Sequence, residues 1–93
     1  MSCISKEKLD DCIRLAKEYK RLYDEDVIIG VAVRGFPSHS EIQMEKETFV
    51  NSFGSGGEWI VDEEADYYRK QVVIEDVTFF ALFDREVYEN EKI

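Results

Sequence analysis

The stretch YYRKQVVIEDVTFFALF limits the possible folds more than any other part of this chain. Two β-branched and aromatic runs, Tyr67–Ile74 and Val77–Phe83, are separated only by Glu75 and Asp76. So short a connection can only join antiparallel strands, because a parallel return needs a long crossover. The stretch therefore reads as a β-hairpin. Two-residue hairpin turns favour Asn-Gly or Asp-Gly, so Glu75-Asp76 reads as such a turn or as the tip of a longer loop. Alternation puts Val77, Phe79, Ala81 and Phe83 on one face and Thr78, Phe80 and Leu82 on the other. Both faces are apolar enough to be covered.

The elements around this hairpin follow from their own patterns. Ser5 to about Tyr23 predicts an amphipathic helix with Ser5 as its N-cap and Glu7 in the first turn, where the helix dipole favours negative charge. Ile4 and Leu9 have the spacing of a hydrophobic staple. Leu9, Cys12, Ile13, Ala16 and Tyr23 form a stripe, widened by Leu15, Tyr19 and Leu22. Lys17, Lys20 and Arg21 suit the carboxyl end, and Asp24-Glu25-Asp26 stops the helix. Val27–Arg34 reads as a central strand, covered on both sides or on one side by a partner. Gly35 to Ser38 is a turn. Glu41–Met44 is a short returning strand, and Glu45–Phe53 a short helix ended by Gly54-Ser55-Gly56-Gly57. Asp84 to Ile93 is a charged tail with at most one helical turn. The expected fold is α+β in the order α-β-β-α-β-β: an antiparallel sheet of about four strands with helices packed on it, as a single domain over residues 1–93.

Charge narrows the function. Net charge is −9, and it is uneven: the six basic and 17 acidic residues after Tyr23 give −11. Direct binding to nucleic acid or to an anionic membrane is not expected, because both require Lys and Arg to displace counterions. A strongly acidic surface instead attracts basic ones. The amino terminus lacks the apolar core of an export signal, no run is long enough for a membrane span, and Cys3 and Cys12 read as reduced thiols in a cytoplasm.

Catalytic groups are sparse. His39, the one histidine, lies between Ser38 and Ser40 on a turn, where neighbours point to opposite sides and cannot form a nucleophile–base pair. The Gly54–Gly57 run lacks the Lys-Ser/Thr of a phosphate cradle. An enzyme is not expected, and no cofactor is implied. Cys3, Cys12 and His39 are the candidate zinc ligands, although the two cysteines lack the short spacing that zinc sites favour.

The densest feature is EWIVDEEADYYRK. Glu58, Asp62, Glu63, Glu64 and Asp66 put five carboxylates within nine residues, with Trp59, Tyr67 and Tyr68 beside them. The plain interpretation is a solvated connector leading into the hairpin. The sharper one is a partner-binding surface, with aromatic anchors in a negative field and carboxylates standing where phosphates would.

The ending VVIEDVTFFALFDRE, after a short strand and the helix EKETFVNSFG, resembles small proteins of bacterial phages and prophages that close on a hairpin reading roughly V-x-FFAL. The resemblance covers Glu41 to Glu86. Size and acidity also make the chain similar in class to anti-CRISPR proteins. That resemblance implies an inhibitor in the cytoplasm of a bacterial host cell. It would bind a basic nucleic-acid-binding protein such as a Cas nuclease and occlude its nucleic-acid groove with the Glu58–Tyr68 residues. The alternatives are a homodimeric interaction module, suggested by the two-faced strands, and a small zinc-binding protein.

Overall fold

The computed structural model describes residues 4–92. It is α+β: α1 (Lys6–Asp24), β1 (Gly30–Arg34), β2 (His39–Gln43), α2 (Lys46–Phe53), β3 (Glu58–Ile60), β4 (Tyr67–Ile74), β5 (Val77–Asp84) and α3 (Arg85–Lys92). The sheet has five strands in the order β1-β2-β5-β4-β3. β1 and β2 form one hairpin, and β3, β4 and β5 form an antiparallel meander. The two halves join through a parallel pairing of β2 with β5 that matches Ser40 to Val77 and Gln43 to Phe80.

Three expectations are corrected. The sheet is mixed rather than purely antiparallel, because the chain crosses over between β2 and β5 through α2 and the rest of the meander. β3 is a fifth strand inside the acidic stretch. β1 is an edge strand rather than a central one; its apolar composition is left open to solvent, with Val31 and Val33 exposed. The carboxyl tail is also more ordered than expected, since α3 runs for eight residues and rests on the meander through Tyr88.

The β4–β5 hairpin forms as its sequence pattern demands, with Tyr67 opposite Asp84 and Ile74 opposite Val77. The connection is two residues long, with φ of 49° at Glu75 and 65° at Asp76. Both residues are in the left-handed region, the geometry of a type I′ turn, which matches the twist of the strands but costs non-glycine residues energy. Replacing Glu75-Asp76 with Asn-Gly is expected to raise stability by about 1 kcal/mol. Urea unfolding at constant m-value checks this.

Register assigns the two faces. Trp59, Tyr68, Lys70, Val72, Phe79, Ala81 and Phe83 share the face covered by α2 and α3. Phe49 from α2 sits at its centre with no exposed surface, in edge contact with Phe53 at 5.0 Å and Phe83 at 6.0 Å. Met44, Ala81 and Phe83 complete the buried cluster. α2 begins at Glu45, whose carboxylate accepts from the Glu47 and Thr48 amides, and ends at Gly54 with φ 61°. The opposite face carries Glu41, Arg69, Thr78, Phe80 and Leu82.

α1 is built as predicted. Ser5 caps it by accepting from the Lys8 amide at 3.2 Å. Ion pairs run along its polar side from Arg14 to Asp11, Lys20 to Asp24, and Arg21 to Glu18 and Glu25. Its carboxyl end is tied down by the Tyr19 hydroxyl, which donates to the Ile29 carbonyl at 3.0 Å. None of its described side chains is buried.

Candidate functional site

The acidic stretch is divided between strand and loop. Glu58 opens β3 opposite Gln71 on β4. The chain then leaves the sheet over residues 61–66 before β4 begins. Asp62 organises this connector: its side chain accepts from the Glu64 amide at 3.0 Å, and its carbonyl accepts from the Ala65 amide at 2.9 Å. Asp and Asn favour this kind of turn because the short side chain reaches the backbone two residues ahead. The result is that Asp62, Glu63, Glu64 and Asp66 are all exposed.

The aromatics expected to flank these acids as anchors behave differently. Tyr67 is exposed. Tyr68 is not a surface residue. β4 alternation puts it in register with Phe83, and only 3% of its surface remains exposed. Its ring lies 5.3 Å from Tyr88, and its hydroxyl accepts from Arg85 Nε at 3.1 Å. Trp59 is half-buried by Phe83 at 5.6 Å and Tyr88 at 5.2 Å. Residue type alone suggested binding anchors here. The pairing of β3 with β4 and the arrival of α3 turn two of the three rings toward the core.

Two basic residues of the sheet are drawn in as well, Lys70 buried and Arg69 half-buried, while Arg34, Lys46 and Arg85 stay exposed. Lys70 is buried among these rings, 5.2 Å above Trp59; its ammonium donates to Glu91 at 3.0 Å and to the Ser55 carbonyl at 3.2 Å. On the opposite face, Arg69 donates two hydrogen bonds to Glu41, at 2.9 and 3.3 Å, while its guanidinium lies 3.8 Å from the centre of the Phe80 ring. Arg34 Nε lies 3.6 Å from the same carboxylate. Among the described residues, Glu58, Glu63, Glu64 and Asp66 take part in no ion pair. Arg69 and Lys70 are thus held by Glu41 and Glu91, while the connector carboxylates stay in water without a paired cation.

Glu41 is the residue that sequence reading missed. It is 6% exposed and lies between Arg69, Arg34 and His39, whose Nε2 is 2.8 Å from its Oε2. The hydrogen bonds from Arg69 hold its carboxyl below the ordinary glutamate range; burial opposes that shift, and His39 reinforces it. His39 is thus part of a sheet-face cluster rather than a free turn residue. This is a saturated charge cluster that stabilises one face of the sheet, and its groups are already engaged with one another.

The two described zinc candidates, Cys12 and His39, are not part of any common cluster. Cys12 is exposed on α1, His39 is on β2 against Glu41, and Cys3 lies outside the described residues. Among the described residues, no three His, Cys, Asp or Glu side chains converge as a metal would need. No described helix is long and apolar enough to cross a membrane.

Features open to contact with another molecule include the unpaired carboxylates around the β3–β4 connector, the open apolar side of α1 and the exposed edge strand β1. Searches of family models, curated proteins and solved structures return no match to this chain.

Proposed function

We propose that this protein acts by binding another protein, as an acidic occupant of a basic, nucleic-acid-binding surface. The observation that carries this reading is the unpaired negative charge around the β3–β4 connector. Arg34, Arg69 and Lys70 are engaged with Glu41 and Glu91, while Glu58, Glu63, Glu64 and Asp66 are exposed without a counter-charge. A field of that sign speeds encounter with a basic groove and repels nucleic acid itself. A small inhibitor of a nucleic-acid enzyme, of the kind that phages direct against Cas nucleases, has that chemistry. The contact set is Glu58, Asp62, Glu63, Glu64, Asp66 and Tyr67. Trp59 and Tyr68 support the set from beneath.

Affinity capture from bacterial lysate with the Glu63→Lys/Glu64→Lys/Asp66→Lys variant beside the wild type tests the reading. The wild type is expected to retain a nucleic-acid enzyme at low salt and to release it at high salt. The variant is expected to bind about tenfold more weakly or worse. Equal retention by the two proteins would remove the connector from the binding surface.

A further inference from the structure

We propose that two copies of this chain associate through the apolar face of α1, laid antiparallel along the same face of the partner's α1. This goes beyond the acidic surface and does not depend on it. Leu9, Cys12, Ile13, Leu15, Ala16 and Tyr23 lie on one half of the helix circumference, and every one of them is exposed. Leu15 retains 65% of its surface. A helix of this length is marginal alone in water, and most helical stability comes from packing an apolar face. The Ser5 cap and the surface ion pairs of α1 add only tenths of a kcal/mol to about 1 kcal/mol each. Among the described residues only Tyr19 and Leu22, near the carboxyl end, are half-buried; the rest of the apolar face stays open to solvent, so packing it needs an occupant.

The chain has surface enough for such an occupant. The chain exposes 7394 Å², whereas a compact protein of this mass exposes about 5,600 Å². Its radius of gyration is 16.1 Å, with extents of 54 × 30 × 24 Å, against about 12 Å for a compact domain of this length. The excess is roughly 1,800 Å² per chain, and a standard interface removes about 800 Å² from each partner. A dimer therefore has ample surface to bury without disturbing the folded body.

Charge along α1 is self-complementary in the antiparallel orientation. Met1 to Tyr23 carries +2 and the rest of the chain −11. Antiparallel overlap of two α1 helices sets Lys6 of one copy level with Asp24 of the other, and Asp10 level with Lys20, on one side of the helix, where they extend the Lys20–Asp24 pair already made within each copy. The helix dipoles oppose each other, and the two acidic bodies sit at opposite ends. A parallel pair would place those bodies side by side.

Sedimentation equilibrium of the full chain from about 1 to 200 μM tests this. Expected is twice the 10.9 kDa chain mass, unchanged at high salt because the contact is apolar. Leu9→Glu/Ile13→Glu is expected to sediment as a single chain, with association weakened about 100-fold or more. Neither residue packs in the body, so the sheet signature should remain. Should the variant fail to fold, the wild type decides alone: its melting midpoint rises with concentration if two copies unfold together. A single-chain mass at the highest concentration, a double variant that still dimerises, or a concentration-independent midpoint would each overturn the proposal.

Discussion

Phe49→Ala is expected to cost about 3–5 kcal/mol, which for a domain of this size lowers the melting midpoint by roughly 20 °C. The size of the effect follows from how little core the body has. Phe49 is the only large side chain among the described residues that is fully removed from water. It touches Phe53 and Phe83 in edge geometry, and Met44 and Ala81 close the same cluster. Truncation leaves a cavity whose floor is Ala81 and Phe83 of β5, which cannot collapse into it without moving the sheet. Since small domains hold only about 5–15 kcal/mol in total, the variant should be partly unfolded at physiological temperature. Circular dichroism melts would check this. A loss below about 1 kcal/mol would mean that α2 is not the lid of the core. Phe49→Leu keeps most of the volume and should recover more than half of the loss.

The contrast between Phe49 and α1 separates what periodicity reveals from what it does not. The hairpin is evident in the sequence because alternation and a two-residue gap are local properties, and the two positive φ values at Glu75 and Asp76 pay for the short turn. α1 is equally evident from its 3.6-residue stripe and cap. What the stripe packs against is not encoded in the stripe. Its pattern predicts burial, and within one chain burial does not occur. The parallel pairing of β2 with β5 has no local signal, because it joins strands more than thirty residues apart. The same holds for the site. The carboxylates of the connector could be placed on the surface by composition. That Tyr68 faces inward could not be known without the register that sets it opposite Phe83. Lys70 and Glu41 illustrate the same limit from the polar side. Each is a charged residue buried on a strand, where an isolated charge would be expensive, and each is stabilised by partners distant in sequence.

Glu41 provides a pH signature that can be isolated from the rest of this acidic chain. Its folded-state carboxyl titrates below the ordinary glutamate value because Arg69, and then His39, favour the charged form. A carboxyl whose folded value is depressed contributes stability that is fully present above its unfolded value, about 4.3, and is lost as pH falls through the lower folded value. The total curve of stability against pH sums every titrating group, and a difference curve isolates Glu41. Glu41→Gln keeps the shape and removes the titration. At pH 7 it is expected to be less stable than wild type by about 2 kcal/mol. That lies below the full cost of breaking a buried pair, because Arg69 and Arg34 retain access to water. The gap should hold from pH 7 to about 5 and then close as wild-type Glu41 takes up its proton. Urea unfolding of both proteins at several pH values between about 3 and 7 measures it. A gap that stays constant to the acid limit would mean that the carboxylate charge does not hold Arg69 over Phe80, and that Glu41 stabilises the sheet face only through its shape and neutral hydrogen bonds.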